Sequence, residues 1–368
     1  MAGIYIHIPF CKSRCIYCGF YSTTGLELRQ RYIDALCHEW LLRQQELKES
    51  LDTIYLGGGT PSQLTDKQLQ QLFAFLPIAT TEVTIECNPD DVSASYAATL
   101  AQLPINRVSM GVQTFDDQRL NFLHRRHTSA QVLQAIQHLR HAGIQNISID
   151  LMYGFPDETL DDWQRDIDAA LALQVEHLSA YCLMVEEGTE LYRRYGDAGV
   201  RRFEESKEES ERQMYELLID KLTANSYEHY EISNFARPGY RSRHNSSYWH
   251  DVPYIGLGAA AHSYDGQGRQ WNIADILQYI EAIEQGCIPC EREELDEDTH
   301  YNDRITVALR TSDGLDLTTL SDHHRQYCLK EARQFLADGL LTMNGQRLAL
   351  TRKGLFVSDM VMSALMLV

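Results

Sequence analysis

Six short runs rich in β-branched and aromatic residues, separated by longer stretches with apolar positions three to four apart, leave few folds open to the first 185 residues. GIYIHIPF (3–10), DTIYLGGG (52–59), EVTIECNP (82–89), NRVSMGVQ (106–113), NISIDLMYG (146–154) and HLSAYCLM (177–184) read as strands, the first five closed by Gly, Pro, Asn or Gln. The stretches 29–48, 65–75, 129–142 and 160–173 read as helices. Thr128–Ser129 and Thr159 stand where N-caps belong, and Gly143 stands where the helix from 129 should stop. Six βα units in succession predict a parallel sheet with helices outside it. No dinucleotide fingerprint is present, so the α/β fold expected is an incomplete (β/α)6 TIM-like barrel, with a doubly wound open sheet as the alternative.

The rhythm breaks after 185. FEESKEESERQ (203–213) reads as the solvated start of a helix running to about 225, residues 227–264 are rich in aromatics and histidine, and EREELDED (291–298) reads as a hinge. The run LADGLLTMNGQRLALTRKG reads as a helix end, a hairpin and a closing helix, an α+β winged-helix-like extension. The expected parts are a barrel core over 1–190, a barrel-completing extension over 191–290 and a C-terminal module over 291–368. With 33 basic and 52 acidic residues the net charge is −19, which disfavours nucleic-acid backbones and anionic lipid. Residues 299–368 carry eight Lys/Arg against seven Asp/Glu, so the winged module lacks a basic recognition face and no nucleic-acid partner is expected. No run approaches the ~18 to 20 apolar residues of a membrane span, and the N-terminus lacks the pattern of a secretion signal. A cytoplasmic protein is expected, with peripheral membrane association left open.

Nine cysteines are unevenly placed. Cys11, Cys15 and Cys18 form CxxxCxxC directly after the first strand; Cys37, Cys87, Cys182 and Cys328 are scattered; Cys287 and Cys290 form a second CxxC. Three thiolates on one tight loop can hold three corners of a four-iron cluster and leave one iron open to a non-protein ligand. Zinc is the rival, although structural zinc sites normally supply four protein ligands. In a parallel barrel, chemistry gathers at the C-terminal strand ends. There the sequence places the cysteine loop, then Gly57-Gly58-Gly59-Thr60-Pro61, Glu86, Gln113 and Asp150, with Arg125 just past the fourth strand. Taken singly, the glycine run reads as a tight turn and each acid as a cap or ion-pair partner.

Together, YIHIPFCKSRCIYC, GGGTPS, the Glu86 and Gln113 stations, HNxxYW and GLGxxAHS resemble the radical S-adenosylmethionine (SAM) proteins related to oxygen-independent coproporphyrinogen dehydrogenase, from Tyr5 to the C-terminal module. The resemblance implies a [4Fe–4S] cluster on Cys11, Cys15 and Cys18 whose open iron is chelated by SAM. It implies that Tyr5, Gly58, Gly59, Thr60, Glu86, Gln113, Arg125 and Asp150 contact that cofactor, with Tyr17 packed near the adenine. The chemistry agrees: a glycine loop can meet the methionyl amine, Arg125 suits a carboxylate, and acids and amides suit ribose hydroxyls. The mechanism it implies is one-electron reduction of the sulfonium, giving a radical able to abstract hydrogen.

Two branches of that family differ in sequence. The dehydrogenases typically read CxxxCxxCxC behind a substantial leading segment, whereas this chain has Phe20 at the extra position and ten residues before Cys11. Both departures point to the haem-chaperone branch, in which a histidine motif, here His244-Asn245-Ser246-Ser247-Tyr248-Trp249, is associated with haem. On that reading His244 supplies an axial nitrogen, and Tyr248 and Trp249 supply flat surfaces for a macrocycle. A structural role for the same motif, capping a turn and filling the core, stands beside it. GLGAAAHSY (256–264) reads as a glycine-rich turn, and Cys287/Cys290 as two ordinary thiols or a second metal or redox pair. The expected function is a haem chaperone delivering to apo-haem proteins, membrane respiratory enzymes among the candidate acceptors. The alternatives are an oxidative decarboxylase of a porphyrinogen propionate and, disfavoured by charge, a DNA-binding regulator.

Overall fold

The computed structural model describes residues 2–205 and 208–367. All six expected strands form: β1 (Ala2–Ile8), β2 (Leu51–Gly58), β3 (Glu82–Cys87), β4 (Arg107–Gln113), β5 (Asn146–Tyr153) and β6 (His177–Cys182). They lie side by side in chain order, every neighbouring pair parallel. A doubly wound sheet reverses its strand order at a switch point; this one does not, and the incomplete barrel is the fold. The strands are buried along nearly their whole length because helices cover one face and the lumen lies on the other. Local signals set the helix ends. Thr128 and Thr159 open their helices with capping boxes to Gln131 and Asp162, and Gly143 closes the first of these in the left-handed region.

Residues after 185 extend the sheet at both edges. β7 (Glu228–Glu231) and β8 (Asn234–Ala236) add antiparallel strands beyond β6. β9 (Tyr254–Leu257) lies parallel to β1, followed outward by antiparallel β10 (His262–Tyr264), β11 (Gly268–Asn272) and β12 (Cys290–Glu294). The complete order is β12-β11-β10-β9-β1-β2-β3-β4-β5-β6-β8-β7. The charge run at 203–213 falls on helices Glu190–Glu205 and Glu208–Ala224, with residues 206 and 207 outside the described residues. The acidic stretch expected as a hinge begins instead as β12. Exposed along its length and charged at four of its five positions, it suits the outermost strand, where charges discourage further pairing. Pairing with β11 keeps 290–294 in the large sheet, and Asp296 caps the next helix, Glu297–Ala308.

The GLG turn fastens β9 to the first helix, Arg29–Arg43. Gly258 has φ 103, and a Cβ there would lie 2.4 Å from the Tyr32 hydroxyl, so only glycine admits this approach. Arg43 donates to the Gly256 carbonyl (2.7 Å) and to Glu39 (3.0 Å). Glu39 also accepts from the Gly258 N–H, the Tyr279 hydroxyl and the Asn272 amide, so both buried charges are fully hydrogen-bonded. A separate core forms around Tyr301, Ile305, Leu315, Leu348, Val361 and Leu365. There β13 (Leu315–Asp316), β15 (Arg347–Leu350) and β14 (Leu341–Asn344) form an antiparallel sheet in that order, with helices around it. No described helix is long and apolar enough to cross a membrane.

Candidate cofactor site

A cavity of about 630 Å³ opens at the C-terminal strand ends and runs down the lumen. Cys11, Cys15 and Cys18 lie at its rim with Tyr17, while Gly58, Gly59, Thr60, Glu86, Gln113, Arg125 and Asp150 line its wall. The cysteine loop and the glycine loop are fastened backbone to backbone: Gly59 N–H donates to the Ile8 carbonyl and Thr60 N–H to the Phe10 carbonyl, each at 2.9 Å. A Cβ on Gly59 would sit 2.8 Å from both the Ile8 oxygen and the Pro9 carbonyl carbon, so the third glycine of the run is required by close approach. Thr60 Oγ1 in turn lies 3.4 Å from Cys11 Sγ.

Arg125 spans the site. Its Nη2 donates to Asn88 Oδ1 (2.7 Å) and the Gly111 carbonyl (2.5 Å), its Nη1 reaches Cys15 Sγ (3.5 Å), and its Nε is buried without a partner. Glu86 accepts from the Tyr55 hydroxyl at 2.7 Å and the Gly58 N–H at 3.2 Å. Burial pushes the Glu86 carboxyl up to about 7 despite the Tyr55 bond, with the Asp150 charge adding to the rise. Burial likewise raises Asp150 to about 6, while Ser179, Arg107 and Arg125 hold it down. Burial also raises the Cys11 and Cys18 thiols.

The donor set fits an iron–sulfur cluster with an organic ligand beside it. Among the described residues no three His, Cys, Asp or Glu side chains converge on a point fit for one metal ion, whereas three thiols around one rim suit a cluster whose ligands go to different irons. Arg125's orphan Nε and the two carboxyls supply a cationic and an anionic handle.

Tyr5 lies outside the cavity lining. It stacks on Tyr55 (centroids 6.3 Å) and bonds to His7 Nδ1 at 3.1 Å, so it supports a wall residue. The His244 motif occupies the floor. His244 is fully buried on the short helix Arg243–Trp249; its Nδ1 meets Thr53 Oγ1 and its Nε2 the Tyr248 hydroxyl, both at 2.8 Å, and its ring stacks on Tyr55. With both nitrogens engaged, it presents no free axial nitrogen in this arrangement. Burial, aided by the Arg107 charge, lowers its pKa to about 3, so the ring is neutral. Trp249 packs against Tyr230 (5.9 Å).

Sequence reading missed Tyr55, Asn88, Arg107, Ser109, Ser179 and Tyr181, all of which line the cavity; Asn245, quoted there only as part of the histidine motif, lines it too. Side-chain parity was the available signal. Arg107, Ser109, Gly111 and Gln113 alternate along β4, and Ser179 and Tyr181 along β6, as one face of a strand must.

Comparison with known proteins agrees with this geometry. Residues 5–170 match the Radical SAM superfamily and residues 295–357 the HemN C-terminal domain. The haem chaperone HemW of Mycobacterium tuberculosis is 35% identical over 99% of this chain and 94% of its own length. That of Bacillus subtilis is 36% identical over 86% of this chain and 85% of its own. The chain belongs to the HemW family. A bovine mitochondrial protein, radical S-adenosyl methionine domain-containing protein 1, is 29% identical over 99% of this chain and 87% of its own. The coproporphyrinogen III oxidase HemN of Escherichia coli, a radical SAM enzyme, shares the fold with a TM-score of 0.81 at 21% identity, over 99% of this chain and 89% of that one. Radical SAM membership implies a [4Fe–4S] cluster and SAM, the two groups that the rim and wall fit.

Proposed function

We propose that this HemW-family chain binds haem and passes it to apo-haem proteins, membrane-bound respiratory enzymes among them, from the cytoplasm or the membrane surface. The observation that carries the reading is the near-full-length identity to proteins named haem chaperones. Phe20, where the dehydrogenase pattern has a further cysteine, supports it: the side chain is 68% exposed and stands at the cavity rim with the exposed Met184, an apolar lip suited to a flat macrocycle. Haem ligation by His244 would require its bonds to Thr53 and Tyr248 to open and the floor helix to shift. Haem binding at the rim has no such condition.

The cluster is assigned to Cys11, Cys15 and Cys18. SAM is assigned to the wall: the glycine loop and Thr60 beside the cluster, Arg125 toward the carboxylate, Glu86, Gln113 and Asp150 toward polar groups, Tyr17 toward the adenine, and Tyr5 acting through Tyr55. When bound, the cluster supplies the electron that cleaves the sulfonium. The chain's own contribution is a narrow lumen that orients the ligand and excludes water. The test is anaerobic reconstitution followed by haem titration and an assay for coproporphyrinogen turnover. Stoichiometric haem binding without turnover is expected, and robust turnover would overturn the carrier assignment.

A further inference from the structure

The lumen floor holds a charge without a partner. Arg107 opens β4, lines the cavity and is 1% exposed, yet neither its Nε nor its Nη1 has a hydrogen-bond partner. Among the described residues no carboxylate forms an ion pair with it. Three acceptor-bearing neighbours are already engaged elsewhere. Glu82 accepts from the backbone N–H groups of Arg243 and His244, each at 3.1 Å. His177 is held between Ser148 Oγ and the Tyr230 hydroxyl, each at 2.7 Å, and His244 between Thr53 and Tyr248. Further donors stand nearby. Thr84, beside Arg107 in the β3–β4 register, has a buried hydroxyl without a partner, and Ser109 and Asn245 line the same cavity.

A buried guanidinium left unpaired costs several kcal/mol, and apolar residues of similar volume are often neutral or stabilising in its place. A side chain kept at that cost and aimed into an open cavity marks a ligand position. We propose that Arg107 anchors a carboxylate-binding subsite on the lumen floor. Gln113 lies six positions further on, about 20 Å along the strand, so Arg107 is remote from the cluster end. The planar fork of guanidinium donors matches a carboxylate bidentately. Glu86 and Asp150 sense the Arg107 charge without contacting it, and their raised pKa values let them take up protons as an anion enters. Two sources share this chemistry: a free small carboxylate, or a propionate of the haem proposed above as cargo, the second resting on that reading and requiring the macrocycle to enter the lumen past the rim.

The experiment uses the full chain. Thermal midpoints are followed in sodium acetate against sodium chloride at equal ionic strength, for wild type, Arg107→Met and Arg107→Lys. Haem and its dimethyl ester are then titrated into the same proteins. The subsite predicts a saturable acetate stabilisation in wild type that Arg107→Met abolishes and Arg107→Lys weakens, with Arg107→Met at least as stable as wild type without acetate. If the propionate is the occupant, Arg107→Met and the dimethyl ester each lower haem affinity about 10- to 100-fold, the range for a hydrogen bond to a charged group. A response in either arm supports the subsite and names the source. No response to Arg107→Met in either arm overturns it, as does an Arg107→Met protein that fails to fold, since the charge would then be structural. If wild type binds no haem, the chaperone reading fails while the acetate arm still decides the subsite.

Discussion

His244→Ala separates a floor residue from a waiting iron ligand. The ring is fully buried, joined at both nitrogens and stacked on Tyr55 at 5.1 Å. Its removal leaves a ring-sized void and strands the Thr53 and Tyr248 hydroxyls. Large-to-small substitution of a buried ring costs roughly 3–5 kcal/mol, and that is the loss expected at pH 7.5. The effect should depend on pH with a definite sign. The folded pKa, about 3, lies below the ordinary value near 6.5. The contribution of the neutral ring is therefore complete above pH 6.5 and is lost as pH falls toward 3, by about 1.4 kcal/mol per unit. At pH 5.0 wild type should have lost roughly 2 kcal/mol that the variant never had, narrowing the gap between them by that amount. Glu86, Asp150 and Glu158, raised to about 7, 6 and 7, act in the opposite direction, but subtracting variant from wild type at each pH removes them. The assay is denaturant unfolding of apo-protein followed by circular dichroism at the two pH values. A gap of equal size at both, or a variant as stable as wild type at pH 7.5, would refute the reasoning and leave His244 free for iron.

Four further outcomes are expected. Replacing Cys11, Cys15 and Cys18 together by Ala should abolish iron and sulfide retention after anaerobic reconstitution, whereas the Cys287→Ala/Cys290→Ala pair should retain both; metal analysis decides. Arg125→Ala should weaken SAM binding by roughly 1.5–3 kcal/mol, one or two decades of affinity, at unchanged iron content by calorimetry and iron assay. Gly59→Ala should force the two fastened loops apart, because the new Cβ meets backbone atoms at 2.8 Å, and iron retention should fall. Coproporphyrinogen supplied with SAM and an electron donor should yield no protoporphyrinogen by chromatography.

The legible parts of the sequence were those written locally. Six strands, two helix N-caps and the Gly143 stop depend on neighbours a few residues apart, and the structure has all of them. The strand-end positions Glu86, Gln113 and Asp150 were reachable because barrel chemistry gathers there. What stayed hidden needed partners from far along the chain. Nothing near His244 says that Thr53, 191 positions earlier, occupies its Nδ1. Nothing near Arg292 and Glu293 distinguishes a charged hinge from a charged outer strand until β11 is known to lie alongside. Tyr55, Arg107 and Ser109 were hidden differently. The strands were read for apolar content, and a lumen lined with hydroxyls and charges breaks that rule on one face only.

That polar lumen explains why six βα units do not make the site by themselves. A closed barrel of this type fills its interior with layers of bulky aliphatic side chains; here Thr84, Arg107, Ser109, Ser148, Asp150, His177 and Ser179 stand on the strands in their place. Such a lumen stays open as a cavity, and it must be closed at the end away from the cysteines. The closure comes from residues 242–249. Ser242 caps the floor helix, Glu82 on β3 receives its first two free N–H groups, and Asn245 reaches the same cavity that the cysteines rim. The short helix gains its position from those contacts, since seven residues are too few to be stable as an isolated helix. The floor contacts therefore tie the segment after 185 to the cofactor end, and a loss of Glu82 would loosen the base of the cavity while leaving the cysteine loop untouched.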